Sequence, residues 1–211
     1  MAAMRIHPTR INLIRTKRTL ETAKAGLDIL ERKRDVLMRE LRHFVYDAKR
    51  LREELVRRIA EAFEDLRKAN VMMGLEAVEK AALASSVKAD FIVDFRSIMG
   101  VHVPIVKFKK EDAKPDYGFA NTSVWLDKAF KNFYNLLDLI ARLAETEGAV
   151  YQIANDVKRT QKRVNALKHI FIPMYTEIVK LIEVVLEERE REEFVRMKMA
   201  KRIIEKRKYG R

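Results

Sequence analysis

From Leu136 onward every seventh residue reads Leu136, Leu143, Val150, Val157, Val164, Phe171, Ile178, Val185, Glu192, Met199, and nine of these ten are apolar. A companion column three residues on runs Leu139, Thr146, Ile153, Thr160, Leu167, Met174, Leu181, Glu188, Val195, with six apolar members of nine. A period of 3.5 held this long puts both columns on one seam of a helix. Such a seam is stable only against a partner helix, in a left-handed supercoil. The pattern predicts a helix from about Thr122 to about Lys208, with Asn121, Thr122 and Ser123 as capping residues ahead of it. Pro173 falls inside, removes one backbone donor and should bend the helix there.

The partner helix lies upstream. Leu13, Leu20, Leu27, Arg34, Leu41, Ala48 and Leu55 form one heptad column, and Ala23, Leu30, Leu37, Phe44 and Leu51 a second. After Leu55 the stripe is expected to step by four to Ile59, Phe63 and Leu66, a stutter that unwinds the supercoil locally. This helix is predicted from about Pro8, which suits a first helical turn, to about Ser86. Gly26 and Gly74 weaken it without being expected to stop it.

Between the helices the period becomes two. Phe91, Val93 and Phe95 alternate with Ile92, Asp94 and Arg96, and Val101, Val103 and Ile105 alternate across His102 and Pro104. With Ser97 to Gly100 between the two runs, this predicts a short β-hairpin, with Pro104 at an edge position. A polar loop, Lys107 to Gly118, follows. The expected organisation is an all-α chain: a long antiparallel two-helix coiled coil with a short β-hairpin and loop at the connecting end. Its segments are 1–86, 87–120 and 121–211. The six glycines and four prolines fit long helices better than a turn-rich sandwich.

Charge is concentrated at the ends. The chain carries +13. Residues 1–18 hold Arg5, Arg10, Arg15, Lys17 and Arg18 and no acid, and residues 194–211 hold eight basic side chains against Glu205 alone. An antiparallel pair would bring these ends into one basic tip including Arg10, Arg15, Arg18, Arg196, Lys198, Lys201 and Arg202. Three roles are open to such a tip: solubility, phosphate neutralisation on a nucleic acid, or insertion into an acidic protein socket. Aromatic and basic residues are not interleaved, and no RNA or DNA module is recognisable, so the nucleic-acid role lacks support. Composition leaves the three open.

Catalytic signatures are missing from the sequence. There is no cysteine, hence no thiolate metal site and no thiol nucleophile. There is no phosphate-cradling glycine loop, and His7, His43, His102 and His169 stand in no metal-ligand spacing. Acidic pairs such as Glu187-Glu188 and Glu192-Glu193 alternate with Arg189 and Arg191, as on a solvated helix surface. The expectation is a non-enzyme with no cofactor and no metal. No apolar run approaches a membrane span, and Met1 to Arg10 has no secretory h-region, so the chain reads as soluble and intracellular. The Met72-Met73 pair and Phe130, Phe133 and Tyr134 exceed what a two-stranded seam needs. They are either a docking face or packing against the hairpin.

The segment Thr160-Gln161-Lys162-Arg163-Val164-Asn165-Ala166-Leu167, with Ile172-Pro173 and then Leu186 to Phe194, resembles the D subunit of the archaeal and vacuolar-type rotary ATPases. Pro8-Thr9-Arg10, Leu30 to Leu37 and Ile98-Met99-Gly100-Val101-His102-Val103-Pro104 are similar to the same family, in the same order along the chain. The run Lys158 to Arg163 replaces a more arginine-rich one, and Lys168 stands where an acidic residue is usual.

The resemblance implies a central rotor shaft that transmits torque and is not itself catalytic. Its termini would enter a head of catalytic A and B subunits. Its lower part would bind the F subunit and seat in the C subunit on the membrane rotor ring, at the cytoplasmic side of the membrane. Under this resemblance no nucleic-acid partner is expected. Motif residues Arg163, Val164, Asn165, Ala166, Leu167 and Pro173 and hairpin residues Met99, Gly100, Val101, Val103 and Pro104 are the candidate positions it singles out. The structural rival is a prefoldin-like chaperone, whose helices are much shorter; a nucleic-acid-binding helical arm rests on the basic tip alone.

Overall fold

A computed structural model of the chain describes residues 7–85, 90–109, 117–118 and 122–209. Arg5, Ser86, Asn121, Arg211 and the loop stretch 110–116 lie outside them. The elements are α1 (Arg10–Met73), α2 (Leu75–Ala84), β1 (Asp90–Ile98), β2 (Val101–Lys109), α3 (Val124–Ala166), a wide π turn (Leu167–Phe171) and α4 (Ile172–Tyr209). Two compact units emerge: a terminal unit of residues up to 34 with those from 159 on, and a central unit of 35–158.

In the terminal unit the start of α1 pairs with α4 in antiparallel sense. Arg10 bonds Glu190 at 2.7 Å and Lys17 bonds Glu183 at 2.7 Å. Further along, Lys168 lies 3.8 Å from Glu31, and Arg34 donates to Gln161 at 3.4 Å. Partners descend on one helix as they ascend on the other. The helix begins two residues later than expected, at Arg10, and the Thr9 hydroxyl just before it accepts the Asn12 amide at 3.2 Å.

At Pro173, where the sequence predicts a bend, the helix widens. The proline cannot donate to the carbonyl four residues back, and the turn just before it widens, with the Ile172 amide donating to the Leu167 carbonyl. A π turn inserts one extra residue. The heptad columns are therefore displaced by one downstream. Ile182 is fully buried and Val179 nearly so, whereas the expected seam residue Leu181 is 59% exposed.

The central unit keeps its main column more faithfully than expected. Ala62 and Ala69 continue the Leu41-Ala48-Leu55 column and both are 0% exposed, so the anticipated slip of the stripe does not occur there. The companion position swings instead, to half-buried Ile59 and Leu66, while Phe63 turns outward. Alanine permits close approach, and the Phe63 ring packs edge-on against Phe133 at 5.3 Å. Gly74 does end α1, contrary to the sequence expectation. Its φ of 81° and ψ of 150° lie where only glycine is at ease, and the chain restarts as α2.

The hairpin is as expected and longer. Met99 and Gly100 have φ of 51° and 82°, the paired positive values of a type I′ turn, and Ile98 faces Val101 across it. Val101 and Val103 are buried with Leu37, Ala149 and Ile153 in one apolar cluster. β2 rests against α3: the Val106 amide donates to Glu145 at 3.2 Å. At Gly148 an added Cβ would fall 2.8 Å from the Pro104 Cγ, so the missing side chain is what lets the strand approach. A second cluster gathers Ala69, Val78, Ala81, Tyr117 and Leu126.

Candidate functional site

No group of His, Cys, Asp or Glu able to hold a metal ion occurs among the described residues. One titratable side chain there is strongly displaced, Tyr117. Burial pushes its hydroxyl well above the ordinary value, and Asp127, which accepts its proton at 2.7 Å, adds to the shift. Asp127 lies in the first turn of α3, where a carboxylate also favours the helix dipole. That arrangement ties a connector residue to a helix start and offers no reactive group. The candidate sites are surfaces.

The basic end comes first. Arg10, Arg15 and Arg18 are exposed on α1. On α4 every residue from Glu187 to Glu205 is exposed, including Arg196, Lys198, Lys201 and Arg202. Part of the positive charge is matched along the helix, Arg196 with Glu192 at 3.6 Å and Lys201 with Glu205 at 3.9 Å. The cross-helix contact of Arg10 is to Glu190, six residues before Arg196. The same stretch bares Phe194, Met197, Ile203 and Ile204. Charge patterning gives no hint of these four, and they make the end a mixed basic and apolar surface.

The motif residues divide between packing and surface. Val164 is buried, while Arg163 and Asn165 are exposed and the Asn165 carbonyl accepts Gln161 Nε2 at 2.8 Å. Ala166 and Leu167 are half-buried at the entry to the π turn, and Pro173 is exposed just after it. Lys168 reaches Glu31 of its own chain, which gives that departure an internal role. In the hairpin, Met99 and Gly100 are exposed at the turn, Val101 and Val103 belong to the core, and Pro104 is half-buried against Gly148.

The surplus aromatics pack within the chain and also stay open to solvent. Tyr134 packs on Phe108 of the hairpin at 5.6 Å, and Phe130 on Tyr117 at 6.1 Å. Together with Ile59, Phe63, Phe133 and Ile140 they also line an open apolar groove of about 490 Å³. The two methionines separate: Met72 is exposed and Met73 packs on the second cluster.

The fold and its surfaces define a class: a helical chain with paired helices, a hairpin laid on them, and exposed basic and apolar surfaces. Residues 12–202 match the family model for the D subunit of ATP synthase. The chain is 42% identical to the V-type ATP synthase D subunit of Thermotoga neapolitana, over 94% of this chain and 98% of the relative. It is 40% identical to the A-type ATP synthase D subunit of Methanopyrus kandleri, over 96% and 88%. With the A-type protein of the same name from Pyrococcus horikoshii it shares 36% over 97% of each. The chain belongs to the family of ATP synthase D subunits, the non-catalytic central-stalk components of the A-type and V-type complexes. No helix among the described residues is long and apolar enough to cross a membrane.

Proposed function

We propose that this chain is the torque-bearing shaft of its ATP synthase, turning inside a head of A and B subunits and coupled through the F and C subunits to the membrane rotor ring at the cytoplasmic face. Family membership across nearly the whole chain carries this reading. The geometry supports it physically. Packed, paired helices resist twisting, because any rotation of one against the other must break buried seams. The exposed end of α4 is the part assigned to the head. Its Arg196, Lys198, Lys201 and Arg202 provide long-range attraction to acidic or polar loops, and Phe194 and Met197 provide short-range contact. The groove around Phe63 and Phe133 is the surface assigned to the lower partners, the F and C subunits.

The test is made on the assembled complex. With Arg196, Lys198, Lys201 and Arg202 all replaced by glutamine, ATP hydrolysis should persist while ion-coupled synthesis and ATP-driven rotation fall. Unchanged synthesis and rotation would remove the tip from the mechanism. The four sites are exposed, so folding should be preserved.

A further inference from the structure

The two edges of the hairpin differ. A two-residue turn makes Ile98 and Val101 an exchange pair, so the hydrogen bonds between the strands fall at Ile98, Arg96, Asp94, Ile92 and Asp90 of β1. The residues of β1 between these point their amides away from the partner strand. On β2 the outer edge is closed. Val106 donates to Glu145, and Pro104, which has no amide hydrogen, sits against Gly148. On β1 the outer edge is presented by Phe91, Val93 and Phe95. These three and Ile92 are all exposed, Phe95 at 67%. The helices meet β1 only toward its turn end, where Ile98 packs on the Leu37 cluster and Arg96 lies over Phe44, and the strand from Asp90 to Phe95 is exposed on both faces. A nine-residue edge with Phe91, Val93 and Phe95 along it is a template for another strand. Its charged residues are a weak guard: Asp94 lies 3.6 Å from Lys107, and Arg96 is placed over the Phe44 ring at 6.0 Å.

The sequence of this strand is complementary to itself. Antiparallel pairing about a two-fold axis at Val93 sets Phe91 against the second copy's Phe95 and Val93 against Val93. On the opposite face it sets Asp90 against the second copy's Arg96. The ion pair and the aromatic pair each occur twice by the symmetry, as an isologous contact requires. The odd-numbered residues then supply the new ladder, and opposite charges directly across strands are favourable. Phe91 already stacks on Phe108 at 5.3 Å, so the aromatic row would extend across both copies. Shifting the axis to Asp94 would set that carboxylate against itself, which disfavours the neighbouring register.

We infer that the free chain self-associates through β1, pairing with β1 of a second copy about Val93 to form a continuous four-stranded antiparallel sheet. This concerns the chain before assembly and stands whether or not the shaft reading holds. A helix or a lipid surface would leave the outer amides of β1 unpaired, whereas an extended strand satisfies them.

The purified full chain, followed by analytical ultracentrifugation from about 1 to 100 µM, should sediment as a dimer. Arg96→Glu and Asp90→Arg should each weaken it by about tenfold or more, because two like-charge pairs replace two ion pairs. Mixing those two variants should restore dimers, since each then meets its opposite charge at both sites. Damage to the hairpin itself would not be rescued by mixing. Because the chain lacks cysteine, Val93→Cys places a single thiol on the axis, and a short bis-maleimide should link two chains there. A monomer at all concentrations overturns the inference. So does a dimer indifferent to both charge changes, which would place the contact elsewhere, for instance in the apolar groove, or a pair of variants that stay monomeric when mixed.

Discussion

Between residues 35 and 158 the paired helices carry a third layer; in 7–34 and 159–209 they carry only each other. The central unit buries Leu37, Val103 and Ile153 completely in a cluster shared by helix and hairpin, and closes a second cluster around Tyr117. The terminal unit buries Val164, Val179, Ile182 and two threonines, Thr16 and Thr160, and its cross-helix contacts are largely exposed ion pairs. Thr16 bonds the carbonyl of Asn12 within its own helix at 2.7 Å, so its burial adds little hold on the partner. Exposed pairs contribute about 0–1 kcal/mol each, far less than a filled core position. The difference teaches that one heptad seam can serve two ends. Where the chain stacks a hairpin on the seam, stability accumulates. Where it does not, surface stays exposed.

The comparison breaks most visibly at Leu37. Truncation to alanine should cost about 2–5 kcal/mol, read as a lower midpoint in guanidinium unfolding. A loss below about 1 kcal/mol would mean that the hairpin cluster is no firmer than a surface seam.

In the terminal unit a smaller and sharper contrast is expected. Ile182→Ala should cost about 2–4 kcal/mol, at the lower part of the range for a buried aliphatic side chain. Its neighbour Leu181→Ala should change stability by about 0.5 kcal/mol or less. Equal losses at both positions would mean that the π turn does not displace the seam.

Among the losses expected at buried positions, the smallest is at Tyr117. Replacement by phenylalanine removes the hydrogen bond to Asp127 and should cost about 1–2 kcal/mol. The hydroxyl has its pKa raised on folding, so its contribution is complete below the ordinary tyrosine value of about 10 and fades as pH rises above it. The gap between wild type and Tyr117→Phe should therefore hold steady at neutral pH and shrink in alkali. A gap that widened there would contradict the assignment of the proton to Tyr117.

Much of the fold was legible because heptads and alternation are local signals. The two helical seams and the hairpin follow from residue spacing; the connection read as Ser97 to Gly100 tightens in the structure to Met99 and Gly100, whose positive φ is what a two-residue hairpin turn demands. The features that escaped depend on particular neighbours. Phe63 fits an apolar stripe as well as Ala62 does on paper; helix separation decides that the alanine goes in and the ring goes out to Phe133. Gly74 differs from Gly26 in nothing the sequence displays, yet only Gly74 terminates a helix. Of the surfaces, the basic residues announced themselves by charge. The groove was half-announced by the surplus of Phe130, Phe133 and Tyr134; the open β1 edge was not, because an apolar residue in a strand is ordinarily a core residue.

The sequence by itself determined that this chain would build paired helices and a hairpin and would carry no recognisable catalytic motif, because periodicity, turn chemistry and residue inventory act over a few neighbouring residues. The motif residues pointed to the family in the same way. Tertiary structure alone decided which edge of the hairpin is closed, since that depends on Glu145 and Gly148 meeting Val106 and Pro104 from a distant helix. It also decided the phase of the last helix. The donor missing at Pro173 is local, but whether a helix bends, breaks or widens there depends on which response lets Val179 and Ile182 remain buried.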